Sequence, residues 1–236
     1  SKASAVVVIF DIFLPMVSRL ILCYNLSMTI TWYGQSCFRL ESKGVSLLVD
    51  PFSKEIGLRV PRLNDNIFLI THDHYDHNNV PPAGGGETPE QFVIRGPGEY
   101  EKLGIRVEGV VSYHDNVQGA QRGINTIYII RMEDMRLCHL GDLGQDKLTD
   151  EQVEAIGDVD VLFIPVGGKY TIGAKEAAEV VKQIEPKIIV PMHYKVAGLS
   201  VDIDDEHKFL KEIGIKAEEV DTYKIQAKNL PTEEIK

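Results

Sequence analysis

Apolar and polar residues alternate in short runs along most of this chain. Alternation at 28–33, 37–41 and 45–49, broken by Gly and polar residues, predicts three strands joined by tight turns. An apolar run at 67–70 adds a fourth, and further strand signals follow at 91–94, 105–113, 126–131 and 135–138. From residue 148 the period changes. Helix patterns at 148–156 and 174–184 alternate with a buried strand at 159–165 and another at 188–191. Within 174–184, Ala177, Val180, Val181 and Ile184 recur at the spacing of a helix packed on a sheet. The reading is an α/β protein of two β-rich halves with outer helices and no repeat of fixed period.

Residues 1–27 stand apart. The stretch 5–26 is apolar enough to suggest a membrane span or signal peptide, but Asp11, Pro15 and Arg19 interrupt it and Lys2 alone precedes it as a positive charge. We read 1–27 as an extension outside the domain and 28–236 as a single domain; a weak membrane or partner-binding helix is the competing reading of the extension.

Composition fits a soluble enzyme. The 236 residues suffice for a large core, and 44% hydrophobic with 25% charged residues is ordinary for globular proteins. A formal net charge of −10 argues against a nucleic-acid partner, which needs a basic face. Three cysteines, Cys23, Cys37 and Cys138, are an odd number spaced like core residues, which predicts reduced thiols and a cytoplasmic location.

The chemistry is concentrated at 71–77, Thr-His-Asp-His-Tyr-Asp-His, directly after the apolar run 67–70. Extended backbone sends alternate side chains to one side, so His72 and His74 reach one metal ion together. If the chain then turns into a helix, Asp76 and His77 face a second point nearby. Of the remaining histidines, His114, His139 and His193 sit at or just past predicted strand ends, where sheet-based folds gather their sites. His207 lies in a charged segment and reads as a solvated helix residue.

The order His72-x-His74-x-Asp76-His77, His114, Asp142 in His-x-Gly-Asp, then His193 resembles the metallo-β-lactamase superfamily of dinuclear hydrolases. Asp50, closing the strand before Pro51, matches that superfamily's first motif. The resemblance runs from Met28 to about Leu230 and implies an αββα four-layer sandwich. It implies that His72, His74 and His114 hold one divalent ion, that Asp76, His77 and His193 hold another, and that Asp142 bridges them. Asp50 would orient the histidine loop through hydrogen bonds. Zinc β-lactamases carry cysteine where Asp142 stands, so antibiotic hydrolysis is not implied. Gly34-Gln35-Ser36, Asp50-Pro51-Phe52 and Pro191-Met192-His193-Tyr194 look most like a compact branch that includes ascorbate-phosphate lactonase-like proteins. Several members of that branch have histidine where this chain has Gln35. The Pro-Gly-rich stretch 81–86 either borders the substrate entrance, as such loops do in the superfamily, or is a plain surface turn.

Two zinc ions, or manganese or iron, would lower the pKa of bound water and supply hydroxide at neutral pH. Asp76 would orient that hydroxide and receive its proton. His139 either donates to the substrate oxyanion or fixes Asp142. Tyr194 and Lys195, directly after His193, are candidates for contact with negative charge on a substrate. Gly168 and Thr171, in the link 167–171 before a helix, form either an anion seat or a plain turn with Thr171 as N-cap. The expected function is hydrolysis of a small anionic ester, lactone or phosphodiester. The alternatives are a nuclease and a non-catalytic metal or ligand binder on the same scaffold.

Overall fold

The computed structural model describes residues 5–7, 27–80, 91–215 and 217–231. In chain order the elements are β1 (Ala5–Val7), β2 (Met28–Gly34), β3 (Cys37–Ser42), β4 (Val45–Val49), β5 (Ile67–Ile70), β6 (Phe92–Arg95), β7 (Gly98–Lys102), β8 (Ile105–Tyr113), β9 (Ile124–Met132), β10 (Met135–His139), α1 (Asp150–Ile156), β11 (Val161–Pro165), α2 (Ala174–Ile184), β12 (Ile188–Met192), α3 (His207–Ile213), β13 (Glu218–Val220) and β14 (Tyr223–Ile225).

Two six-stranded sheets face each other. The first runs β14-β2-β3-β4-β5-β6 and the second β12-β11-β10-β9-β8-β7. Their inner faces share one apolar core, in which Phe38, Leu47 and Leu69 of the first sheet meet Ile130, Leu137 and Phe163 of the second. The alternate residues of the first sheet, Cys37, Leu48 and Phe68, point outward into a smaller apolar cluster with Phe52, Ile56, Leu199 and Ile203. Loops and one 3-10 turn, Lys54–Ile56, make that outer cover among the described residues. Helices cover the other outer face. The apolar stripe of α2 is buried, and α2 packs against α3. α1 opens on a capping box in which Thr149 and Gln152 each bond the other's backbone N–H. The architecture is the metallo-β-lactamase α/β sandwich.

Six strands, three in each sheet, carry parallel pairings. β4, β5 and β6 pair in parallel, as do β10, β11 and β12. β5, β11 and β12 are buried along their whole length, which explains why they read as unbroken apolar runs.

Two expectations need amending. Residues 1–27 do not all lie outside the domain: β1 pairs antiparallel with β13, and Val7 is buried in the main core. The histidine segment does not enter a helix; it makes a single turn closed by His77 N–H and Asn78 N–H donating to the His74 carbonyl. The rest of the extension, with Cys23, and the 81–86 stretch lie outside the described residues. Among the described residues no helix is long and apolar enough to cross a membrane.

Candidate metal centre

Every residue predicted to hold metal lies at or just beyond the C-terminal end of a strand, on one edge of the sandwich. β5 delivers His72 to His77, β8 leads to His114, β10 to Asp142 and β12 to His193, while β4 leads to the supporting Asp50. Three of the residues on this edge, Gln35, Asp50 and His193, adopt left-handed backbone with φ of 54°, 44° and 51°. Non-glycine residues reach that region only under constraint from their surroundings. At His193 the constraint is visible. Its N–H donates to the Gln35 carbonyl, and a Cβ on the neighbouring Gly167 would lie 2.1 Å from its own carbonyl oxygen.

The side chains converge. Asp142 Oδ2 lies 3.1 Å from His193 Nε2, 3.2 Å from His77 Nε2, 3.5 Å from His114 Nε2 and 3.9 Å from His72 Nε2. His77 Nε2 is also 3.5 Å from Asp76 Oδ2. Three overlapping groups, His72-His74-His114, His72-His77-Asp142 and Asp76-His77-His193, each keep their ligand atoms within 4.8 Å of one another. The side chains of Asp142 and His77 are buried, whereas Asp76 keeps 13% of its side chain exposed. His74 and Asp76 therefore mark the open side of the site.

Supporting hydrogen bonds fix which ring nitrogen faces inward. Asp50 is fully buried; one of its oxygens accepts from Thr71 N–H at 2.8 Å, and the other from the Thr71 hydroxyl at 2.8 Å and from His77 Nδ1 at 3.0 Å. With its proton committed to Asp50, the Thr71 hydroxyl accepts from His72 Nδ1 at 2.9 Å. Both imidazoles thereby carry a proton at Nδ1 and turn Nε2 toward the centre. Those two Nε2 atoms are buried without a hydrogen-bond partner. Buried polar atoms are rarely left so, and a cation is the partner this donor set fits. Asp142 is held from behind: Ser36 Oγ donates to its Oδ1, and its N–H donates to Asn125 Oδ1.

Electrostatics agree with a cation-binding cluster. Burial alone would raise the Asp142 carboxyl, but His193 and His77 hold it well below the usual carboxylate range. Burial disfavours charge on His77, yet Asp142, Asp76 and Asp50 push it well above an ordinary imidazole. His72 is driven down to about 2, by burial first and then by the neighbouring His77.

The remaining candidate residues are engaged away from the ligand cluster or behind it. His139 sits behind the site, fully buried: its Nε2 donates to the Ser36 carbonyl at 2.9 Å and its Nδ1 accepts from Gly141 N–H at 3.1 Å. With both nitrogens occupied it has no proton for a substrate, and it acts on the Ser36 and Gly141 backbone flanking Asp142. Tyr194 is buried against Trp32, ring centroids 4.9 Å apart. Lys195 spends its ammonium on the carbonyls of Leu199 and Val201, at 2.6 and 2.8 Å. Gly168 N–H donates to the Ile172 carbonyl, and the N-cap of α2 is Gly173 rather than Thr171, so 167–171 closes on itself as a plain turn. The motifs contain Gln35, Ser36 and Thr71 without revealing what they support, and sequence reasoning missed Asn125. Asn125, a buried polar residue inside the apolar run of β9, carried a usable signal.

Comparison with known proteins gives a consistent picture. Residues 29–193 match the β-lactamase superfamily domain. A UPF0173 metal-dependent hydrolase of Pyrobaculum islandicum is 30% identical over 195 residues, covering 73% of this chain and 86% of the relative. Another, from Thermoplasma acidophilum, is 31% identical over 197 residues, with the same 73% and 86% coverage. Among solved structures, a Thermotoga maritima protein described as a Zn-dependent hydrolase of the metallo-β-lactamase superfamily is similar at 38% identity. Its TM-score is 0.63, and the match covers 78% of this chain and 84% of that one.

Proposed function

Because this chain belongs to the β-lactamase superfamily, and within it to the UPF0173 metal-dependent hydrolases, we propose that it is a hydrolase working with two divalent ions. In this reading His72, His74 and His114 hold one ion, Asp76, His77 and His193 the other, and Asp142 contacts both. The observation that carries it is the pair of buried, unpartnered Nε2 atoms of His72 and His77, aimed into a cluster of imidazoles and carboxylates. Seven nitrogen and oxygen donors without sulfur suit zinc, with manganese or iron as alternatives. Two such ions supply an activated water and neutralise negative charge developing on the substrate.

The chain's own residues do the rest. Asp50 and Thr71 set the tautomers of His77 and His72. Ser36 fixes one oxygen of Asp142, leaving the other among the imidazoles. Asp76, on the open side and held ionised chiefly by His77 against the effect of burial, would orient the attacking water and is the carboxylate placed to take up its proton. We assign the substrate class as a small anionic ester, lactone or phosphodiester, and the compartment as cytoplasmic, with neither nucleic acid nor membrane as partner. The net charge of −10 and the buried free thiols Cys37 and Cys138 support that assignment.

The test is elemental analysis of protein purified without chelator, followed by an ester, lactone and phosphodiester panel on reconstituted protein. Two metals per chain with turnover on one class is the expected result. A saturated value of one metal, unchanged after reconstitution, would remove the dinuclear reading. A full site with no turnover on any class would favour a non-catalytic binder.

A further inference from the structure

Gln35 places its carboxamide directly against two atoms assigned as metal ligands. It is fully buried, and its left-handed backbone aims the carboxamide between two donors assigned to the second ion. Its Nε2 lies 2.9 Å from Asp76 Oδ2 and 3.0 Å from His193 Nε2. The same residue's backbone oxygen accepts from His193 N–H and from Trp32 Nε1, so its position relative to His193 is fixed by the fold. At the far end of the amide, Oε1 is buried and has no hydrogen-bond partner.

Two features of this arrangement point to a metal-ligand role. Neighbouring ligands at right angles around one ion, each about 2.1 Å from it, are about 3 Å apart. The terminal amide atom of Gln35 stands at that spacing from both Asp76 and His193. The amide also has a low-cost second state. A half-turn about its terminal torsion exchanges nitrogen for oxygen, and the far position forfeits no hydrogen bond because its present occupant makes none. Without a cation, the N–H face satisfies the lone pairs of Asp76 and His193. With a cation, the oxygen face offers a neutral, hard donor.

Building on the two-ion reading above, we propose that Gln35 is a further ligand of the second ion, binding through its carboxamide oxygen. A carbonyl oxygen added to Asp76 and Asp142 makes that position richer in oxygen than the first, with its three imidazoles. Oxygen donors suit Mn²⁺, whereas imidazole suits Zn²⁺. The second position should therefore accept Mn²⁺ readily and the first should prefer Zn²⁺.

The experiment is calorimetric titration of metal-free wild type, Gln35→Leu and Gln35→Glu with Mn²⁺ and with Zn²⁺, with metal content measured after dialysis. Gln35→Leu should lose at least about tenfold in affinity for the second Mn²⁺ while the first equivalent of Zn²⁺ binds as in wild type, showing the fold intact. Gln35→Glu keeps an oxygen ligand but removes the N–H donor, so it should bind the second Mn²⁺ as well as wild type or better. If Gln35→Leu binds both equivalents like wild type, or if Gln35→Glu is weakened as much as Gln35→Leu, the oxygen-ligand assignment is overturned; the latter result makes the amide a donor to Asp76 instead. Wild type that never takes a second equivalent of either metal overturns the two-ion reading and this assignment together.

Discussion

Asp50→Asn offers a sharp test of how the centre is built, because it changes one atom and reverses a chain of hydrogen bonds. Asparagine keeps the oxygen that accepts from Thr71 N–H and tolerates the left-handed backbone found at this position, so little strain is added. The new NH₂ group faces the Thr71 hydroxyl and His77 Nδ1, both of which now donate to Asp50. Both must become acceptors. His77 then carries its proton on Nε2, and the Thr71 hydroxyl, turned round, donates to His72 Nδ1 and forces the same exchange there. Two lone pairs that faced the centre are replaced by N–H groups. Restoring them for metal leaves two buried hydrogen bonds unmade, at about 1–3 kcal/mol each. The sum, about 2–6 kcal/mol, corresponds to a loss of metal affinity of at least about tenfold at about 1.4 kcal/mol per decade. The metal-free variant, whose network can close in the reversed direction, should melt within a few degrees of wild type. Calorimetric titration with Zn²⁺ and thermal unfolding with and without metal separate the two effects. Wild-type affinity in Asp50→Asn would refute the tautomer argument, and an equal collapse of the metal-free fold would show that Asp50 serves stability instead.

Other consequences are as direct. Asp142→Ala removes the carboxylate that faces four imidazoles, so second-metal binding and most hydrolysis should be lost with the fold retained; full activity would show that Asp142 joins neither ion. Chelation should lower the melting temperature, since a ligand at a hundred times its Kd contributes about 2.7 kcal/mol to the folded state; a midpoint indifferent to chelator would mean that no metal is held. A chain beginning at Ser27 gives up the burial of Val7, about 1.5–3 kcal/mol. At about 2–4 °C per kcal/mol for a domain of this size, it should melt roughly 3–12 °C lower and still bind metal; an unchanged midpoint would show that β1 adds nothing. His139→Phe keeps the ring packing on Phe38 and Phe163 but deletes both backbone hydrogen bonds, so it should cost stability and metal affinity without introducing a new pH dependence of turnover.

What was legible in the sequence is what depends on local order. The segment His72 to His77 is contiguous, so strand alternation and a turn place its donors without knowledge of the rest. The stripe Ala177, Val180, Val181 and Ile184 is likewise local, and α2 forms over the predicted span. Short or charged strands gave no such signal: β7 (GEYEK) is mostly polar, and β13 and β14 are three residues each, held by their partners. Adjacency in sequence misled at Tyr194. His193 turns the chain through left-handed backbone, and the next side chain is buried against Trp32. Of the two readings of His139, its bonds to the Ser36 and Gly141 backbone favour the one that fixes Asp142, with its ring packed on Phe38 and Phe163. Gln35 is 158 residues from its partner His193, a pairing that only the folded sandwich reveals.

Each ion's assigned donors come from both sheets: His72 and His74 with His114, and Asp76 and His77 with His193. Neither sheet holds a complete set. The chain passes from one sheet to the other at 96–97, between β6 and β7, with only β14 returning afterwards to the first. The centre is thus a seam between two pieces of polypeptide, and divalent ions become the thread that joins them. Fragments divided at Gly96 and Pro97 would reassemble to an extent set by free metal concentration, giving a split-protein reporter whose signal is the ion itself.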